Sequence, residues 1–180
     1  MQFNWYTRDE LENCGVAFAK AFGEYRWMNR AEWTAQVFQW FANTAASWTR
    51  VYSTKVDEAG SEFLVDQCHL RFPANAERRK RYEAMLGNCN FEMPFALESE
   101  WATGSDDHRY CEILNDACKL TVVRAKAKVM IFGSDHGSDR DDLFDALKSL
   151  RHASGDDVPW LCIDVPYGVK EVGITTETLP

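Results

Sequence analysis

The stretch PFALESEWATG, residues 94–104, decides how this chain is read. Its first eight residues have the pattern of a strand, in which successive side chains point to opposite faces. Phe95, Leu97, Ser99 and Trp101 then share one face, and Ala96, Glu98 and Glu100 share the other. Two like charges side by side in an otherwise apolar strand need a reason. A carboxylate inside a sheet is costly unless it is paired, hydrogen-bonded or bound to a metal.

Upstream, the period is again two. The runs RVYSTKV and EFLVDQCHLRF flank DEAGS, whose Asp, Gly and Ser suit a hairpin connection. Asp66 lies in the second run between apolar neighbours, Leu64, Val65 and Cys68. Before the hairpin, Thr7 with Glu10 has a capping-box spacing that predicts a helix carrying Leu11, Phe18 and Phe22 and stopping at Gly23. Asn29 with Glu32 predicts a second, with Trp33, Val37, Trp40, Phe41 and Thr44 at helical intervals. Between hairpin and third strand, Asn75 to Leu86 reads as a short basic helix.

Downstream, Ile113, Ala117, Leu120 and Val123 mark a helix with Asp106 or Asp107 as N-cap. AKVMIFG has the continuous apolar run of a buried strand. An acidic loop, DHGSDRDD, leads into a helix with Leu143, Phe144, Leu147 and Leu150 inward, with Asp139 or Asp141 as its N-cap, and VPWLCIDV supplies a last strand. The succession predicts an α/β three-layer sandwich, a mixed central sheet covered by helices on both faces. The helix between the third and fourth strands is long enough for a crossover, so those two strands should be parallel.

The chain has 180 residues, 46% of them hydrophobic, which suits one domain. The net charge of -8 argues against sequence-independent nucleic-acid binding over the whole surface, because such binding draws on many Lys and Arg contacts. Neither a membrane span nor a signal peptide is evident, so the expectation is a soluble, cytoplasmic protein. The six cysteines form no CxxC pair, and the expectation is reduced, mostly buried thiols.

With the second and third strands as neighbours, Asp66 and Glu98 would sit roughly 5 Å apart across the pair. Converging carboxylates repel, which raises a pKa or draws in a hard divalent cation. Mg²⁺, or Mn²⁺ in its place, fits two carboxylates while keeping waters for chemistry on a phosphoryl group. Asp116 and Lys119, spaced i and i+3, share a side of the following helix, from which the lysine would reach the acids. The alternative is an ion network of Asp66, Glu98 and Glu100 with Arg71, Arg109, Arg124 or Lys126.

This arrangement resembles the PD-(D/E)XK nuclease superfamily, the restriction-endonuclease-like fold, whose αβββαβ core matches the order from Ala31 to Phe132. Here two N-terminal helices precede the strands, and a helix and strand follow the core. More narrowly, FLVDQCHL, PFALESEW and DACKLTVVRAKAKVMIF look like a group of small bacterial proteins with an ESEW strand and a DFxKL helix. The superfamily resemblance implies Asp66 and Glu98 as metal ligands, Glu98 and Glu100 as the catalytic acids, and Lys119 as the lysine moved to the next helix. Glu100 stands where the superfamily usually has lysine. The first-helix acid some members use would map to Glu32, which equally fits position N3 of a capping box.

The implied activity is a metal-dependent phosphodiesterase acting on DNA. The run Arg78, Arg79, Lys80, Arg81 is the local candidate for the phosphate backbone, although as a helix face beside Glu77 and Glu83 it also reads as solvated surface. A different class of function is an inactive nuclease-fold protein serving as an interaction module, for another protein or a second copy of itself as a homodimer. His69 and Cys68 point to opposite strand faces and cannot chelate together; His108 and His136 read as loop histidines, and the Trp-rich helix as core.

Overall fold

The computed structural model describes residues 3, 7–23, 30–45, 49–53, 64–71, 92–101, 106–134, 139–166 and 173–179. The first helix, α1 (Arg8–Phe22), starts where Thr7 Oγ1 accepts from the Glu10 backbone N–H at 3.2 Å. It buries Leu11, Cys14, Phe18 and Phe22. Helix α2 (Arg30–Thr44) follows, with Trp33, Val37, Phe38 and Phe41 buried. Phe18 stacks on Phe41, and Phe41 stacks in turn on Phe95 of the sheet. Gly15 permits close approach of α1 to the sheet: a Cβ there would meet Thr176 Oγ1 at 3.0 Å.

Six strands lie side by side in chain order: β1 (Thr49–Ser53), β2 (Gln67–Arg71), β3 (Glu92–Glu100), β4 (Ala125–Phe132), β5 (Trp160–Asp164) and β6 (Thr175–Leu179). Strand β2 runs antiparallel to both β1 and β3; β3, β4 and β5 are parallel, and β6 returns antiparallel along β5. The parallel pairs are joined by α3 (Asp106–Val122) and α4 (Arg140–Ser154). Both crossovers step across the sheet in the same direction, so their common right-handedness puts α3 and α4 on one face. Gly155, at φ 69, ends α4 in the left-handed conformation.

The sheet therefore separates two cores. Phe95, Leu97, Val129, Ile131, Leu161 and Ile163 pack under α1 and α2. Ala96, Cys68, Met130, Phe132, Trp160 and Cys162 pack under α3 and α4. The chain is an α/β protein built on a mixed sheet, as its sequence predicts.

Several expectations shift. The second strand begins at Gln67, so Asp66 sits in a bend ahead of it, after Leu64 at φ 40. Val65 consequently joins Cys68 and Leu70 in one core, which strict alternation would forbid. Helix α3 begins at Asp106 itself, which puts both aspartates in its first turn and makes His108 helical. Strand β6 was not expected; its Thr-rich sequence lacks the apolar pattern that marks the inner strands. Cys111 and Cys118 are exposed on α3, while Cys14, Cys68 and Cys162 are buried. DEAGS, His136, Asn29 and the helix of Asn75 to Leu86 lie outside the described residues.

Candidate functional site

Strand β3 carries the site. Its alternation sends Phe95, Leu97 and Trp101 into the core under α1 and α2, and Ala96 into the opposite one. Glu98 and Glu100 share the face of Ala96 and meet α3. Glu98 is wholly enclosed, at 0% exposure. Its Oε2 lies 3.4 Å from Lys119 Nζ, and its Oε1 is buried with no hydrogen-bond partner among the described residues. Lys119 Nζ makes its shorter contact, 2.7 Å, to Asp116 Oδ1 one turn back along α3.

The register of β2 against β3 runs Cys68 to Ala96 and Gln67 to Leu97. The bend at Asp66 then ends the ladder beside Glu98. In place of a backbone carbonyl, the Asp66 carboxylate takes over: Oδ2 accepts from the Ser99 N–H at 2.9 Å and from Ser99 Oγ at 3.1 Å. Asp66, Glu98, Glu100, Asp116 and Lys119 thus converge around one end of β3.

Carboxylates outnumber cations there, and the protonation states respond. Burial pushes Glu98 up to about 8, Asp66 adds to the rise, and Lys119 opposes it. Burial likewise raises Glu100 to about 7, helped by a carboxyl–carboxylate hydrogen bond with Asp116 and by the charges of Asp116 and Glu112. Asp66 is raised by burial against the two bonds from Ser99. For Lys119, burial disfavours the charge, but the bond to Asp116 and the charge of Glu98 outweigh it and hold the ammonium above the ordinary lysine value. The site favours a bound proton or cation.

The arginines that might have neutralised these acids are engaged elsewhere. Arg71 pairs with Glu92 at 3.4 Å, and the buried Arg109 pairs with Asp139 at 3.2 Å, tying the first turn of α3 to the N-cap of α4. Arg124 and Lys126 are exposed. The cation beside Glu98 is Lys119. Glu32 is exposed in the first turn of α2, on the other side of the sheet. Buried His69 stacks on Phe95, away from Cys68, and burial lowers it to about 3. Arg78, Arg79, Lys80 and Arg81 lie outside the described residues.

Ser99 escaped the sequence reading because it contributes mainly a backbone N–H, which carries no residue signature. Glu112 escaped it as an apparent surface acid; its spacing from Asp116, i and i+4, was the available signal. Among the described residues, no three His, Cys, Asp or Glu side chains form a group able to hold a metal ion. No helix among them is long and apolar enough to cross a membrane. No family model, curated protein or solved structure matches this chain. The physical description of the site is thus that of an acid-rich, partly buried cluster with one resident lysine, on the third strand of an α/β protein.

Proposed function

We propose that the protein is a divalent-metal-dependent phosphodiesterase acting on DNA, built on the αβββαβ core of the restriction-endonuclease-like fold. The order α2, β1, β2, β3, α3, β4 agrees with that core. The observation that carries the reading is the Glu98 carboxyl, fully enclosed among other acids with one oxygen that has no hydrogen-bond partner among the described residues. An orphaned acceptor so placed is costly unless something positive completes it.

Magnesium or manganese fits this donor set, since such ions take one or two carboxylates and fill the remaining positions with water. Asp66 and Glu98 would hold it, without a third protein ligand. When bound, the ion polarises a phosphoryl oxygen and lowers the pKa of the attacking water. The chain's own groups do the rest. Lys119 places an ammonium where phosphoryl charge develops. Glu100, sharing a proton with Asp116, accepts or returns one at its carboxyl near neutral pH. Ser99 fixes the Asp66 carboxylate. The run Arg78 to Arg81 supplies phosphate contacts on an otherwise acidic chain.

One observation favours the second reading, an inactive interaction module: Lys119 already contacts Glu98 from within the chain. Calorimetric titration with Mn²⁺, alongside a DNA cleavage assay, separates the two. The enzyme reading expects binding and metal-dependent cleavage, both lost in Glu98→Gln. A wild-type protein that neither binds Mn²⁺ nor cuts leaves the module.

A further inference from the structure

Lys119 stands unequally between two carboxylates. Its Nζ is 2.7 Å from Asp116 Oδ1 but 3.4 Å from Glu98 Oε2. The first is a short charge-assisted contact; the second is at the limit of one. The lysine side chain is 40% exposed, whereas that of Glu98 is 0% exposed. One partner is therefore a half-exposed ammonium on a long rotatable stem, and the other is enclosed on a strand of the sheet.

The two oxygens of Glu98 also differ. Oε2 faces the lysine, while Oε1 is buried and has no hydrogen-bond partner among the described residues. A divalent cation drawn to Oε1 and to Asp66 would sit on the same carboxylate as the ammonium. At such separations, in a partly buried site, like charges repel strongly. The weaker and more movable contact gives way, and Asp116 keeps hold of the lysine.

We infer that Lys119 is a resident counter-ion of Glu98 that an incoming divalent cation displaces from Glu98, leaving it to Asp116 alone. The inference rests on the metal-site reading above. It makes Lys119 a brake on metal binding: once Glu98 ionises, the lysine spares the apo protein a bare buried carboxylate, and metal entry leaves the ammonium with Asp116. Asp116 then acts as the second berth, which gives the i, i+3 pair of α3 a role beyond a surface ion pair.

The test is titration of the full chain with Mn²⁺ alone, followed by calorimetry, for wild type, Lys119→Met and Glu98→Gln. Displacement predicts that Lys119→Met binds Mn²⁺ at least about tenfold tighter than wild type, because no counter-ion has to leave. Equal or weaker binding by a folded Lys119→Met overturns the inference while leaving the metal site intact. Absence of binding in both proteins, or binding undiminished in Glu98→Gln, overturns the metal-site reading and this inference with it. Should Lys119→Met not fold, a crystal of wild type grown with Mn²⁺ decides: the expected result is Lys119 within bonding distance of Asp116 and out of contact with Glu98. A retained Lys119–Glu98 contact beside bound Mn²⁺ refutes displacement.

Discussion

Lys128 and Lys119 are both lysines set against carboxylates on the α3 and α4 side of the molecule, and they are built in opposite ways. Lys128 is almost fully buried on β4, in contact with Asp156. That aspartate also accepts from Trp160 Nε1 at 2.9 Å and from the Val158 N–H at 3.2 Å. Charges balance, and the carboxylate is saturated. Among the described residues around Lys119, the acids Glu98, Glu100, Asp116 and Asp66 exceed the positive charge, and one buried oxygen has no hydrogen bond. A saturated pair holds a fold together, whereas an unsaturated, acid-rich cluster is disposed to bind something.

The largest expected effect breaks the saturated pair. Asp156→Ala leaves Lys128 buried and uncompensated and should lower stability by about 3–5 kcal/mol in urea unfolding. A loss below about 1 kcal/mol would show that water reaches Lys128 and that the contrast between the lysines is one of degree.

The acid cluster should respond to pH instead. The folded chain keeps the Glu98 proton up to about 8, while the ordinary value is 4.5. Raised folded pKa means the stabilisation is complete below the unfolded value and is lost as pH rises through the folded one. Wild type should therefore lose about 4 kcal/mol relative to Glu98→Gln between about pH 5 and about pH 9, read from urea midpoints. A flat difference across that window would mean that Glu98 is already ionised and fully compensated by Lys119.

Smaller effects sharpen the comparison. Ser99→Ala removes the hydroxyl donor to Asp66 but keeps the backbone one, so a loss of about 1 kcal/mol is expected in the same measurement. Lys148, paired with Asp145 at 3.1 Å and Glu177 at 3.0 Å, completes the series as an exposed lysine. Its side chain is 42% exposed, and Lys148→Ala should cost under about 0.5 kcal/mol, falling further in high salt. A larger salt-resistant loss would show that exposure does not rank these lysines.

Much of the architecture was legible along the chain because it follows from local periodicity. The alternation of PFALESEW put Glu98 and Glu100 on one face and Phe95 and Leu97 on the other, as they stand. Thr7 capped α1, and the i, i+3 spacing of Asp116 and Lys119 made their contact foreseeable. Strand β6 was missed because Thr175 to Leu179 is only partly buried at most positions, and half-buried polar strands lack apolar punctuation. The bend at Asp66 was missed because the positive φ of Leu64 falls on a residue type that gives no warning of it.

The sequence by itself determined most of the elements, their faces and the presence of carboxylates in buried strands, since these depend on residues near each other in the chain. Tertiary structure alone decided which cation meets them. Lys119 was one of several basic candidates, and only the crossover that lays α3 over β3 brings it to Glu98 while Arg71 and Arg109 are taken by Glu92 and Asp139. It alone also decided that Asp66 caps Ser99 across a broken ladder, that Lys128 finds Asp156, and that Glu98 is left with an unfilled oxygen. Charge pairing and desolvation are set by distances through space, and residue order does not encode those distances.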